Sequence, residues 1–107
     1  MTKEPSPGDV FMVDFGMAAK VRPCVVLSRH DPAAARAVCI VAPFTTSSRE
    51  SPYEIPVPKP RWLTRAGVVN LQGLVSMGLH DLGRHLGKLP TGDVAKIKDG
   101  LRFVLDL

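Results

Sequence analysis

One residue and one stretch stand out for the chemistry they could do: Arg22, directly before Pro23 at the mouth of an apolar run, and the hydroxyl-rich Phe44-Thr45-Thr46-Ser47-Ser48-Arg49-Glu50-Ser51. Proline disfavours helical backbone in the residue before it, so Arg22 is held extended. A residue without an N–H also belongs at the first positions of a strand. An extended arginine offers a planar, permanently charged fork that fits a phosphate. With hydroxyls nearby it can bind a phosphodiester and stabilise the charge that develops when phosphorus becomes pentacovalent. RNA supplies its own nucleophile, the ribose 2′-OH, so a protein acting on it need only position the strand, move the proton and stabilise charge. That route requires no metal.

The remaining inventory points away from other chemistries. His30, His80 and His85 have no paired ligand spacing, and the separation of His80 from His85 suits neither face of a helix. Cys24 and Cys39 lie inside apolar, strand-like runs and lack an exposed basic setting, which reads as two buried free thiols. There is no Gly-rich phosphate loop, nucleophile elbow, repeat or low-complexity tract. Gln72, Ser76 and the scattered Lys20, Arg49, Lys59, Arg61 and Arg65 are the other polar candidates. By themselves, these residues also fit a solvated loop beside a strand-end arginine.

The elements that must position these groups can be read in order. Met1 to Gly8 is expected to be a loose tail ending at the turn-like Pro7-Gly8, with a single domain over 9–107. Val10 to Phe15 and the Arg22 strand read as a hairpin, and Ala37 to Pro43 as a third strand. Asp31-Pro32 and a short alanine run separate the second and third strands without a stable helix. Tyr53 to Pro60 alternates, with Pro56, Pro58 and Pro60 removing donors from one edge, so it pairs on one side only. Val68 to Leu71 and Leu74 to Met77 suggest one strand interrupted or bulged at Gln72-Gly73. Leu79 to Arg84 reads as a short helical turn. Thr91 is the expected N-cap of a last helix whose apolar stripe is Val94, Ile97, Leu101, Val104 and Leu105. Gly100 has no evident reason to be in that helix, where it costs about 1 kcal/mol relative to alanine.

Composition bounds the answer further. A length of 107 residues fits one domain with a modest core. The formal charge of +4 and pI near 9.4 favour a polyanionic or acidic protein partner. No apolar run approaches the ~20 residues of a membrane span, and Met1 to Pro7 lacks the apolar stretch of a signal peptide. The expected location is the cytoplasm, without membrane contact.

The order Gly8-Asp9-Val10-Phe11-Met12-Val13-Asp14-Phe15, Arg22-Pro23-Cys24-Val25-Val26-Leu27-Ser28 and Ile40-Val41-Ala42-Pro43-Phe44-Thr45-Thr46 resembles the MazF/PemK (Kid) family of type II toxin-antitoxin ribonucleases. Val68-Val69-Asn70-Leu71-Gln72 resembles the family's Gln-bearing strand, and Leu86-Gly87-Lys88-Leu89 its closing "IGKL" before an amphipathic helix. The resemblance implies a mainly β fold with α, an SH3-like small β-barrel of the CcdB/MazF type with a C-terminal helix. It also implies a homodimer, metal-independent cleavage of single-stranded RNA without a cofactor, and a cognate antitoxin, with DNA bound only through the antitoxin complex. The family's catalytic Arg falls on Arg22 and its catalytic Thr or Ser on Thr45. Lys20, Thr46, Arg49, Gln72 and Ser76 are the RNA-binding candidates. Two departures bear on mechanism. Many members carry a longer Gly-x-Glu-x-x-Gly loop before the Arg-Pro pair, where this chain has only Gly16 to Val21 and no Glu. Leu71 and Val75 stand where some members have an acid–base Asp and Arg, leaving His80 as the candidate acid or base. A gyrase-binding toxin like CcdB, or a catalytically degenerate antitoxin-binding regulator, is the alternative reading.

Overall fold

The computed structural model describes residues 4–16, 21–65 and 67–107. Seven strands form one antiparallel sheet: β1 (Asp9–Asp14), β2 (Val21–Val26), β3 (Val38–Thr45), β4 (Glu54–Pro56), β5 (Val68–Asn70), β6 (Val75–Gly78) and β7 (Leu82–Lys88). The order is β4-β5-β3-β2-β1-β7, with β6 also paired to β3, and helix α1 (Thr91–Val104) follows. This is the mainly β architecture with a C-terminal helix that the family resemblance implied.

Period-two burial builds a core on each face of the sheet. Val10, Val25, Ala42 and Phe44 point to a cluster completed by Leu63, Val69, Leu71, Leu89 and the helix residues Val94 and Ile97. Their strand neighbours Phe11, Val13, Cys24, Val26, Cys39, Val41 and Leu82 form the second cluster. Both cysteines are buried and free, as their apolar surroundings indicated. Leu105, expected on the helix's apolar stripe, lies beyond the helix and is exposed. Gly100 now has a reason: a β-carbon there would stand 2.6 Å from Ile55 Cδ1 and 2.8 Å from Leu71 Cδ1, so its absence lets the helix seat on β4 and the turn after β5.

β3 is the strand on which the site depends. Its first half pairs with β6 (Val38↔Gly78 to Val41↔Val75) and its end with β5 (Phe44↔Val69, Thr45↔Val68). The partner is thus one strand interrupted by a 3-10 turn, Leu71–Gly73, rather than by a bulge. Pro43 supplies the physical reason. Leu27 N–H donates to the Ile40 carbonyl and Ile40 N–H to Ser28 Oγ, so alternation turns Pro43 toward the β5/β6 side. A proline has no N–H to donate there, and the partner strand leaves the ladder where that donor is missing.

Several boundaries differ from expectation. The alternating segment around the three prolines contributes only Glu54–Pro56 to the sheet; it is an edge strand, and since Leu71 N–H donates to the Tyr53 carbonyl, alternation turns Pro56 toward the unpaired outer edge. The turn after Gly78 is limited to Leu79–Asp81, and Leu82 to Arg84 belong to β7, because Leu82 is a core residue paired with Val13. The helix is capped by Pro90, whose carbonyl accepts from Asp93 and Val94 N–H, and Thr91 is the first helical residue, not the cap. Within the segment expected to be a tail, residues 5–8 are held in place. Pro5 is buried, Ser6 N–H donates to Asp9 Oδ2 at 2.9 Å, and Gly8 N–H donates to the Val26 carbonyl at 2.8 Å.

Candidate active site

Register brings Arg22 and Thr45 together. β2 and β3 pair Val26↔Val41, Val25↔Ala42 and Cys24↔Pro43. Continuing that register two residues sets Arg22 across from Thr45, on the same side of the sheet by alternation. Both line an open cleft of about 350 Å³ together with Thr46, Trp62, Thr64, Arg65, Gly67 and Arg84, with Met12 and Leu86 among its apolar wall residues.

The Thr45 hydroxyl is oriented locally. Its Oγ1 accepts the Ser47 N–H at 3.1 Å, which leaves its own proton free to donate. The loop beyond is tied down by Glu54 at the start of β4. One carboxylate oxygen accepts Arg49 N–H at 2.8 Å, Ser48 Oγ at 3.3 Å and Ser51 N–H at 3.5 Å. The Arg49 N–H, followed by the Ser51 and Ser48 donors and the Arg49 charge, outweighs what desolvation there is and holds the Glu54 carboxyl below its ordinary range. Glu54 therefore stays charged and keeps the hydroxyl loop folded back at neutral pH.

The cleft is electropositive. Arg22, Arg65 and Arg84 line it, no carboxylate does, and none of the three guanidiniums makes an ion pair among the described residues. Arg84 reaches the cleft because β7 runs out of step with β1 on either side of the Phe11↔His85 pair. Arg84 and Leu86 line the cleft and His85 does not; its Nε2 lies 3.0 Å from Asp9 Oδ1. Just beneath Arg22, burial pushes the Cys24 thiol up to about 12, and the Arg22 charge only partly opposes that. Cys24 is therefore a protonated core residue and not a nucleophile.

The structure gathers Arg22, Thr45, Thr46 and Arg65 and places the other candidates elsewhere. Arg49 lies on the loop held by Glu54, outside the cleft lining. Gln72 is exposed on the 3-10 turn, its N–H donating to Asn70 Oδ1 at 3.0 Å. Ser76 is exposed on β6 opposite Ile40. His80 is exposed beside Asp81, with Nε2 3.6 Å from Oδ1, and does not line the cleft. Lys20 lies outside the described residues. Lys59 is structural, donating from Nζ to the Leu63 carbonyl at 3.0 Å. Trp62, Thr64 and Arg84 are the cleft residues that sequence reasoning did not single out. The single tryptophan and the Gly87 of Leu86-Gly87-Lys88-Leu89 were the available signals, as the two pack on one another. Among the described residues, no three His, Cys, Asp or Glu side chains gather to hold a metal ion. No helix among them is long and apolar enough to cross a membrane.

The family model described as PemK-like, MazF-like toxin of type II toxin-antitoxin system matches residues 6–105. A curated relative, Endoribonuclease MazF6 of Mycobacterium tuberculosis, is 29% identical over 111 residues, covering 95% of this chain and 97% of that protein. A mycobacterial endoribonuclease solved in complex with its cognate antitoxin superposes with a TM-score of 0.83 at 25% identity, covering 96% of each chain. Mycobacterium tuberculosis toxin MazF-mt6 superposes with a TM-score of 0.79 at 25% identity, covering 92% of this chain and 97% of that one.

Proposed function

Because the chain belongs to the PemK-like, MazF-like toxin family of type II toxin-antitoxin systems, we propose that it is the toxin of such a pair and cuts single-stranded RNA endonucleolytically without a metal. What supports this reading is that Arg22 and Thr45 line one cleft with Arg65 and Arg84, where among the described residues none of the three guanidiniums is ion-paired and no carboxylate lines the wall. The named relatives are endoribonucleases, one of them solved with its antitoxin, which supports the same activity and the same kind of partner.

In the proposed step the ribose 2′-oxygen forms a bond to phosphorus and the P–O5′ bond breaks, while the 2′-hydroxyl proton passes to solvent water and the departing 5′-oxygen takes a proton from solvent water. The products are a 2′,3′-cyclic phosphate and a 5′-hydroxyl end. Arg22 stabilises the doubly charged equatorial oxygens, where a preorganised donor contributes roughly 3–4 kcal/mol of transition-state stabilisation. Thr45 donates its hydroxyl proton to a non-bridging oxygen and keeps the phosphate in line. Arg65 adds charge to the strand's path.

The antitoxin contributes an acidic segment that competes with RNA for this basic cleft. Two copies of the chain associate through apolar groups that the monomer leaves uncovered, including Phe103 at 56% and Leu107 at 85% exposure. Leu79, by contrast, packs against the second core cluster. The protein works in the cytoplasm, where its RNA substrate is.

The test is expression of the chain alone and with Arg22→Ala, followed by incubation of the purified proteins with total RNA in EDTA. Growth arrest and RNA fragmentation by the parent, both lost in a folded Arg22→Ala variant, are expected. Equal toxicity of that variant would remove the ribonuclease reading.

A further inference from the structure

Trp62 and Arg84 line the same cleft as Arg22 and Thr45, yet the proposed chemistry uses neither. The indole is fixed from behind. A β-carbon at Gly87 would stand 2.3 Å from Trp62 Cε2, 2.5 Å from Cδ2 and 2.6 Å from Nε1. Near-equal distances to the ring-fusion atoms and their neighbour place that point over the ring's face rather than its edge. Only the missing side chain at Gly87 allows the ring to lie flat on β7. The half-buried ring also packs against the core cluster under the helix, so it is rigid, and its remaining surface faces the cleft.

Arg84 is exposed on the same strand, and its guanidinium makes no hydrogen bond or ion pair among the described residues. A fixed aromatic surface beside an unpaired guanidinium is how proteins hold single-stranded nucleic acid. A base stacks on the ring, and the backbone phosphate meets the cation. Because every base has a π-face, such a surface gives affinity and register without reading sequence.

We infer that Trp62 and Arg84 form the subsite for the nucleotide adjoining the reacting phosphate, the indole stacking its base and the guanidinium pairing with its outer phosphate. This rests on the ribonuclease reading, and it divides the cleft into a reacting end, Arg22 and Thr45, and a holding end.

Trp62 is the sole tryptophan, so its emission reports on the subsite directly. The probe is a short single-stranded oligonucleotide with deoxyribose throughout, which lacks the nucleophile. Its partner probe has the same backbone without bases. The first is expected to quench Trp62 emission along the same curve that anisotropy gives for binding. The base-free backbone should bind roughly tenfold or more weakly and leave emission unchanged. Arg84→Ala should lower the log–log salt slope by about 0.7, the single-strand increment for one phosphate. On cleavable RNA it should raise KM while kcat holds, as for lost uniform binding. Trp62→Phe should keep binding within a few-fold, and Arg102→Ala, on the helix and outside the cleft, should change nothing. Saturable binding with no change in Trp62 emission, or an Arg84→Ala protein with unaltered salt slope and KM, overturns the subsite and leaves the roles of Arg22 and Thr45 standing. No binding or cleavage by the parent overturns both readings.

Discussion

The backbone of Gly67 stands against Thr45 so closely that a β-carbon at Gly67 would lie 2.6 Å from the Thr45 carbonyl oxygen and 3.2 Å from its carbonyl carbon. No side chain fits in that gap, and the atoms in the way are backbone rather than a movable side-chain end. Gly67 directly precedes β5, whose Val68 pairs with Thr45. The glycine is therefore what allows the strand carrying the proposed catalytic hydroxyl to be gripped at its end.

Gly67→Ala should push Thr45 away from its position across from Arg22. A displacement approaching 1 Å at a reacting group can cost on the order of 100-fold in rate, while crowding at one site costs about 1–3 kcal/mol in stability. The expected result is a folded protein, by circular dichroism, whose kcat falls at least tenfold while the deoxy probe still binds. Undiminished kcat would show that Thr45 is not held through Gly67.

Arg22 is half-buried at a strand mouth and has no ion-pair partner among the described residues, so truncating it removes charge from the cleft without opening the core. Arg22→Ala should leave stability within about 1 kcal/mol of the parent and abolish cleavage. Arg22→Lys should restore little, because an ammonium cannot reproduce the two-pronged contact. Thermal melts beside single-turnover cleavage rates check both halves.

At the other end of β1, Asp9 joins the chain's start to β7. Burial alone would raise its carboxyl, but the Ser6 N–H, the His85 ring and the Lys88 and His85 charges outweigh it and hold Asp9 below its ordinary value of 3.8. Above 3.8 both the folded and unfolded chains carry the charge, and the stabilisation is fully present. As pH falls below that value the unfolded chain takes its proton first, and the stabilisation is lost as pH drops through the folded value. Asp9→Asn should lower stability at neutral pH by about 1–2 kcal/mol, the worth of charge-assisted hydrogen bonds. It should also flatten the acid limb below about pH 4. Urea melts across pH 2–7, about the range over which carboxylates titrate, follow this.

The two thiols should be inert while the protein is folded. Burial lifts Cys24 to about 12 and raises Cys39 as well, so neither is a thiolate at neutral pH. Thiol reagents should label both only as fast as the chain opens, and RNA cleavage should survive their presence. Rapid labelling in the native state would contradict the packing of the second core cluster.

What was legible in the residues was what depends on neighbours in the chain. Arg22 before Pro23, the hairpin that follows from it and the interruption at Gln72-Gly73 are all local signals. Within the hydroxyl-rich loop after the third strand, only the family resemblance points to Thr45. Trp62 and Arg84 were not legible, because they meet the cleft only through contacts across the sheet. Trp62 arrives by packing on Gly87, and Arg84 by a strand out of step with β1. The reason for Gly100 likewise lies in Ile55 and Leu71, which no helical pattern names. Thr91 had the right type for a cap, but the helix begins one residue earlier in its bonding, on the Pro90 carbonyl. The distribution of the remaining polar candidates followed the same rule: Gln72, Ser76 and His80 share a stretch of chain, and the sheet carries it away from the cleft of this monomer.

The central claim is that the ribose attacks and that Arg22 and Thr45 serve that attack. It is tested most directly with one RNA oligonucleotide that the protein cuts and its copy carrying a single 2′-deoxy substitution 5′ to the scissile phosphate, both in EDTA. The account predicts equal binding, no cleavage of the deoxy copy, and a 2′,3′-cyclic phosphate on the upstream fragment of the unmodified RNA. Cleavage of the deoxy copy at the rate of the RNA, or an upstream fragment formed directly with a linear phosphate, would contradict it.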